Sequence, residues 1–323
     1  MSRRTHLDVE RILKICISPA AHRGDEDVRG EINQYIRDSG DRGPFIADLL
    51  MQAKGSTPCM HVLEVGSSPY VITRYVLAAM PSLHFVAVDH PDLIWPGTGA
   101  PPAKNMITVE MPDSSIIEVP HWLLNAERDR FPFENNTFDA VICTDTLEHL
   151  LFSPTHLLCE VHRVLHVGGL LIFTVPNSLS LKYLVSQLMN RPTRHQYTGY
   201  GCYGGHRREY SLREIKDLLN GCGFRVERAF NKNFRVPAHD SRKAFLATLL
   251  AGISNLPLPY LANKREHIIA VARATGDVTP YYPSWLYKSL HLAWMKQTYP
   301  DLNDTWLRRH EEKMVGHSPY QAF

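Results

Sequence analysis

The chain has 323 residues, 44% of them hydrophobic, with 35 Lys+Arg against 33 Asp+Glu for a formal charge of +2. That length suits one large domain with additions or two smaller ones, and the composition excludes wholesale disorder. The near-neutral balance excludes a broad basic footprint for nucleic acid, and no apolar run reaches the roughly 18 residues of a membrane span.

The first 57 residues read as helical. Val28, Ile32, Tyr35 and Ile36 share one helical face, and Pro44 opens a second apolar segment through Leu50. The character then changes. His61 to Val65 reads as a buried strand running into Gly66-Ser-Ser-Pro69, followed by a helix from about Tyr70 to Ala79 and a strand from His84 to Asp89. The Pro- and Gly-rich stretch from Pro91 to Pro120 reads as an irregular insertion before a third strand ending near Asn125. Phe138 to Cys143 is a fourth strand. Ser153 and Pro154 look like an N-cap with Pro at the first helical position, for a helix that Gly168-Gly169 stops. Leu170 to Val175 is a fifth strand, Ser211-Leu-Arg-Glu214 a capping box for a helix ending near Gly221, and Phe224 to Phe230 and His267 to Ala272 two more strands. Strands alternating with helices predict a parallel, doubly wound α/β sheet.

Six cysteines are scattered without a Cys-x-x-Cys pair, and the chain starts without a signal-peptide core, so a reduced, cytoplasmic protein is expected. In doubly wound sheets ligands bind outside the carboxyl ends of the strands. The first strand ends in Glu64-Val-Gly66-Ser-Ser68 and the second in Asp89, an acid placed to take two ribose hydroxyls. A dinucleotide needs Gly-x-Gly-x-x-Gly to seat its pyrophosphate, whereas here one glycine is followed by Ser67, Ser68 and Pro69. S-adenosylmethionine has no phosphates and fits that single glycine better.

The run Asn125 to Leu150 (NAERDRFPFENNTFDAVICTDTLEHL), continued by Glu160 to Asn177 (EVHRVLHVGGLLIFTVPN), is similar to the class I S-adenosylmethionine-dependent methyltransferases of the type 11/type 12 branches. The resemblance covers about residues 58–275. It implies a Rossmann-like, doubly wound seven-stranded sheet and an S-adenosylmethionine cofactor. By position, Glu64, Gly66 and Ser68 fall in the motif holding the methionine part, Asp89 and the adjacent His90 at the ribose, and Asn125 and Ala126 at the adenine edge. Asp145 falls beside the methyl donor and acceptor. Ser68 and Tyr70 depart from the family pattern, standing where glycines are usual.

Asp145-x-x-Glu148-His149, with the distant His206, resembles the Mg²⁺-binding group of the ubiquinone-biosynthesis O-methyltransferases and of the small-RNA 3′-terminal 2′-O-methyltransferases. Three roles stay open for this set: a divalent cation held by Asp145, Glu148, His149 and His206; a metal-free base, His149 or His206; or hydrogen bonds that fix the strand–helix turn. His162 and His166, four apart, read as an exposed helix face.

The stretch 178–210, with Leu181, Leu184, Leu188, Tyr197, Tyr200 and Tyr203, reads as a cap over the acceptor. The tail 276–323, with Tyr281, Tyr282, Trp285, Tyr287, Trp294 and Trp306, reads as an added helical pair, with a homodimer contact as the other use of its aromatics. The organisation expected is therefore an N-terminal helical lid (1–57), a methyltransferase domain (58–275) and a C-terminal extension (276–323). The activity expected is methylation of a small molecule or glycan at oxygen. A 2′-O-methyltransferase of an RNA end, disfavoured by the neutral charge, and a non-catalytic methyltransferase-like binding module are the alternatives.

Overall fold

The structure is a computed structural model, and it describes residues 9–18, 26–54, 60–90, 102–151, 153–190, 205–234 and 241–276. The chain order is α1 (Val9–Leu13), β1 (Cys16–Ser18), α2 (Glu26–Asp38), α3 (Arg42–Lys54), β2 (His61–Val65), α4 (Val71–Ala79), β3 (His84–Asp89), β4 (Ala103–Glu110) and β5 (Ile116–Leu123). It continues with β6 (Phe138–Thr144), a 3-10 turn (Leu147–His149), α5 (Thr155–Val164), β7 (Leu165–Pro176), α6 (Leu181–Leu188), α7 (Leu212–Gly221), β8 (Phe224–Lys232), α8 (Ser241–Ser254), α9 (Pro259–Ala262) and β9 (His267–Ala274).

One sheet holds nine strands in the order β1-β4-β5-β3-β2-β6-β7-β9-β8. The strands β5, β3, β2, β6 and β7 run parallel, and β9 is antiparallel to both β7 and β8. The doubly wound α/β class therefore holds, as a mixed sheet of nine strands rather than an all-parallel sheet of seven. The two extra strands are β4, antiparallel to β5, and β1, antiparallel to β4. Both correct sequence expectations. The second half of the supposed irregular insertion is a hairpin whose turn lies at Pro112 to Ser115, with Ile107, Val109 and Val119 buried along it. The N-terminal region is not helical throughout, because Cys16–Ser18 extends along β4.

Alternation along the strands splits the core in two. Val62, Ala140, Ile142, Leu170 and Ile172 pack with Ile46 and Leu50 of α3 and Tyr75 and Val76 of α4. Their neighbours Leu63, Val65, Val141, Cys143, Leu171 and Phe173 face the other way, against α5 and α7. The capping box holds as expected, with Ser211 accepting from the Glu214 N–H and Glu214 accepting from the Ser211 N–H. On the first face α3 presses closely on α4, and a Cβ on Gly43 would lie 2.1 Å from the Tyr75 ring.

Two boundaries differ from expectation. α5 begins at Thr155 and ends at Val164, four residues before the glycine pair, because Leu165 already pairs with Phe138 in the sheet. His166 therefore lies on β7 and shares no helix face with His162. His162 is not a free surface group either, since it sits edge-on to Phe224 with Nε2 3.0 Å from the Thr275 carbonyl. The segments 191–204 and 277–323, which carry the expected cap tyrosines and the aromatic tail, lie outside the described residues.

Candidate active site at the carboxyl ends of the strands

The parallel strands β2, β3 and β6 end side by side, and their loops build the site. After β2, Gly66 takes φ +76°, and a Cβ there would lie 2.2 Å from the Thr146 hydroxyl oxygen. That hydroxyl sits 3.2 Å from the Val65 carbonyl and 3.1 Å from that of Thr144, tying the ends of β2 and β6 together. Ser68 donates its backbone N–H to Asp89 Oδ2 at 2.6 Å, and His90 donates its own to Asp89 Oδ1 at 2.8 Å. Burial pushes the Asp89 carboxyl up to about 6, against the pull of those two bonds. Tyr70, where a glycine is usual, adopts a left-handed backbone (φ 62°, ψ 33°) and buries its ring edge-on to His121. The backbone geometry that a glycine would give is thus kept by a tyrosine, at a cost of about 1–2 kcal/mol.

Glu64 is 1% exposed and accepts from the Thr73 hydroxyl of α4. Burial pushes its carboxyl up to about 8, with Asp89 adding to the rise and Thr73 and Arg74 opposing it. Beyond β5, Asn125 Oδ1 accepts from the Glu127 N–H, and the Asn125 N–H donates to Asp129 Oδ2 at 2.7 Å, which fixes the turn carrying Ala126. Glu127 is structural as well, since it accepts from the backbone of Leu151 and Ser153.

The end of β6 carries the candidate catalytic residues. Asp145 has φ 49° and sits in a largely buried ion pair, with Oδ2 bound by Arg42 and Oδ1 accepting from the Thr174 hydroxyl at 2.9 Å. Arg42 also donates to the Tyr35 hydroxyl at 3.3 Å. The 3-10 turn then presents Glu148 and His149, while the loop before α7 lies over it, with the N–H groups of Arg207 and Arg208 both reaching the Glu148 carbonyl oxygen. This brings His206 in. Its ring is edge-on to His149 at 4.9 Å, and its Nε2 lies 4.0 Å from Glu148 Oε1. One ligand atom from each of Glu148, His149 and His206 lies within 4.8 Å of the others. Asp145, expected in this set, lies outside that group of three, and its oxygens accept from Arg42 and Thr174.

Glu148 is fully buried, and neither carboxyl oxygen has a hydrogen-bond partner among the described residues. Burial pushes it up to about 8, with Arg42 pulling it back and Glu209 raising it. His206 Nδ1 lies 3.1 Å from Glu209 Oε1, and that oxygen also accepts from the Tyr183 hydroxyl. A carboxylate only accepts, so His206 donates from Nδ1 and carries its basic lone pair on Nε2, the nitrogen that faces the turn. His267, at the start of β9, is held neutral and pushed down to about 3, chiefly by burial and then by the charges of Arg42 and Lys182.

Sequence reasoning missed Arg42, Thr146, Thr174, Tyr183, Glu209 and His267. Arg42 lies before the recognisable motifs, and nothing in the sequence ties it to Asp145. Glu209, three residues after His206 and just before the capping box, was the one legible signal.

A family model described as a methyltransferase domain matches residues 45–229. The chain belongs to the methyltransferase-domain family. No curated protein matches this methyltransferase. Among solved structures it is similar to the CurJ carbon methyltransferase, at 15% identity over 76% of this chain and 59% of that one, with a TM-score of 0.46. It is similar to a putative sarcosine dimethylglycine methyltransferase from Galdieria sulphuraria, at 14% identity over 73% of this chain and 86% of that one (TM-score 0.43). The third is phosphoethanolamine N-methyltransferase 2 of Haemonchus contortus, solved with phosphomonomethylethanolamine and S-adenosylhomocysteine. There the identity is 14% over 72% of this chain and 53% of that one (TM-score 0.43). This chain thus spans little more than half the length of the first and third.

Proposed function

We propose that this methyltransferase uses S-adenosylmethionine to methylate a hydroxyl of a small molecule or glycan. The cofactor supplies a methyl group on a sulfonium, and its fit rests on two features of the strand ends. Asp89 is a partly buried carboxyl whose oxygens have lone pairs left for a ribose diol, and the turn after β2 presents the Ser68 N–H to it, so two strand ends meet at that carboxyl. Asn125 and Ala126 stand on a fixed turn where the adenine edge would lie.

Oxygen as the acceptor atom rests on His206. A hydroxyl must lose its proton as it attacks, whereas an amine or thiolate needs little help, and methyl transfer is otherwise chiefly a matter of alignment and dryness. His206 brings a basic Nε2 to the strand ends, its tautomer set by Glu209, which Tyr183 holds in turn. His149 packs against it and Asp145, held by Arg42 and Thr174, borders the same space. Calorimetry with S-adenosylmethionine is the test of the cofactor. Wild type binds and Asp89→Ala does not, while both melt at similar temperatures; unchanged affinity in the variant would refute the placement.

A second reading is favoured by the spacing of Glu148, His149 and His206. These three would hold a divalent cation, with Glu209 orienting His206 behind it, and the ion would lower the pKa of a bound hydroxyl. Chelator separates the two: turnover lost and restored by Mg²⁺ or Mn²⁺ supports the cation, and chelator-insensitive turnover leaves His206 as the base.

A further inference from the structure

α6 packs on α8 and α8 on α9, and the start of α6 is stitched to the segment after α9 by the Leu181 N–H to the Lys264 carbonyl at 2.7 Å. Together they form one surface on the side of the molecule beside the candidate site. Its outward side chains are apolar to an unusual degree. Leu188 is 79% exposed, Tyr260 68%, Leu258 54%, Met189 49%, Leu256 48% and Leu249 47%. Isolated exposed apolar residues need no explanation, but six on three helical segments that pack together do.

The charge pattern says what covers it. No Asp or Glu occurs from Ser178 to Asn190 or from Ser241 to Arg265, in a chain with 33 acids. The same segments carry Lys182, Arg242, Lys243, Lys264 and Arg265. Lys182 is exposed on α6, and the Lys264 ammonium lies 5.1 Å from the centre of the Tyr260 ring. An aromatic ring with a polar tip beside a lysine, bordering exposed leucines, is the side-chain set that sits at a lipid–water boundary. A border with Lys182 and Lys264 on its outer side complements anionic headgroups and would repel an equally cationic second copy. Among the described residues no helix is long and apolar enough to cross a membrane, so contact would be from one side.

We propose that the α6–α8–α9 surface docks this protein on an anionic lipid bilayer, with the leucines and Tyr260 entering the headgroup boundary and Lys182 and Lys264 at the phosphates. The inference is independent of the acceptor and of the base. It has a consequence for the site nonetheless, because Tyr183 on the inner side of α6 holds Glu209 and through it His206.

The test is co-sedimentation of the full chain with large vesicles of phosphatidylcholine alone or with 30% phosphatidylserine. Wild type is expected to bind the phosphatidylserine vesicles and to release as salt rises. Lys182→Ala should weaken that binding about fivefold, and Leu188→Asp with Leu256→Asp about tenfold or more, with S-adenosylmethionine affinity and melting temperature unchanged in each. Equal binding to neutral vesicles, binding indifferent to these substitutions, or no binding by wild type overturns the proposal. So does concentration-dependent dimerisation that the leucine substitutions abolish, which would assign the surface to a second copy of the chain. Failure of S-adenosylmethionine to bind would instead strike the functional reading and leave the vesicle result standing.

Discussion

Glu64 offers the sharpest check on how burial controls this site. Its carboxyl is 1% exposed at the end of β2, accepts one hydrogen bond from Thr73, and is pushed up to about 8 chiefly by burial. In the unfolded chain the same group titrates near 4.5. The folded pKa is raised, so the contribution to stability is whole below pH 4.5 and is lost as pH rises from 4.5 to about 8. Each pH unit in that window costs about 1.36 kcal/mol, which puts the loss at about 3 kcal/mol by pH 7. Glu64→Gln keeps the shape and an oxygen for Thr73, and removes the titration. The variant is expected to match wild type at pH 4 and to exceed it by about 3 kcal/mol at pH 7, as read by urea unfolding of the cofactor-free protein. An equal shift at both pH values would mean that burial leaves this carboxyl unperturbed, and a variant that is weaker at pH 7 would mean that the folded site holds a stabilised carboxylate.

Two further predictions concern the neighbouring loops. Gly66→Ala should destabilise by about 2 kcal/mol through its left-handed backbone and the collision with Thr146, and adding Thr146→Ala should return part of that loss in chemical denaturation. Arg42→Met leaves Asp145 largely buried without its counter-charge and should cost about 3 kcal/mol. Arg42→Met with Asp145→Asn should recover most of it, and an additive double mutant would show that the pair does not interact.

Much of this architecture was legible because buried strands write themselves plainly. β2, β3, β6, β9 and the second half of β7 are short apolar runs bounded by turns or helix caps, and burial on both faces of a sheet requires that composition. The hairpin of β4 and β5 was obscured by its outer position. β4 exposes most of its first half, so its alternation is diluted by Lys104 and Asn105, and the prolines just upstream suggested irregular chain. β1 is three residues long and gains meaning only from its partner β4. At the site, the motif from Asn125 to Leu150 carries the turn of Glu148 and His149, and the distant loop of His206 lies over that turn. Part of that motif turns out to be scaffold. Glu160 accepts from the Phe131 N–H, and Arg163 donates to the carbonyls of Phe131 and Phe133, which clamps the FPF segment. What stayed hidden were groups that meet the site from far away in sequence. Arg42 lies 103 positions from Asp145, and no periodicity encodes such a pairing.

The stretch matched by the family ends short of what the fold requires on both sides. It starts at residue 45 and stops at 229, whereas Arg42 precedes it and β9 begins at His267. β9 lies between β7 and β8, so a fragment trimmed to 45–229 would leave those two strands without their shared neighbour and Asp145 without its guanidinium. Inherited pattern and self-sufficient folding unit are therefore different objects in this chain. Anyone dividing it for expression should cut by strand order rather than by motif.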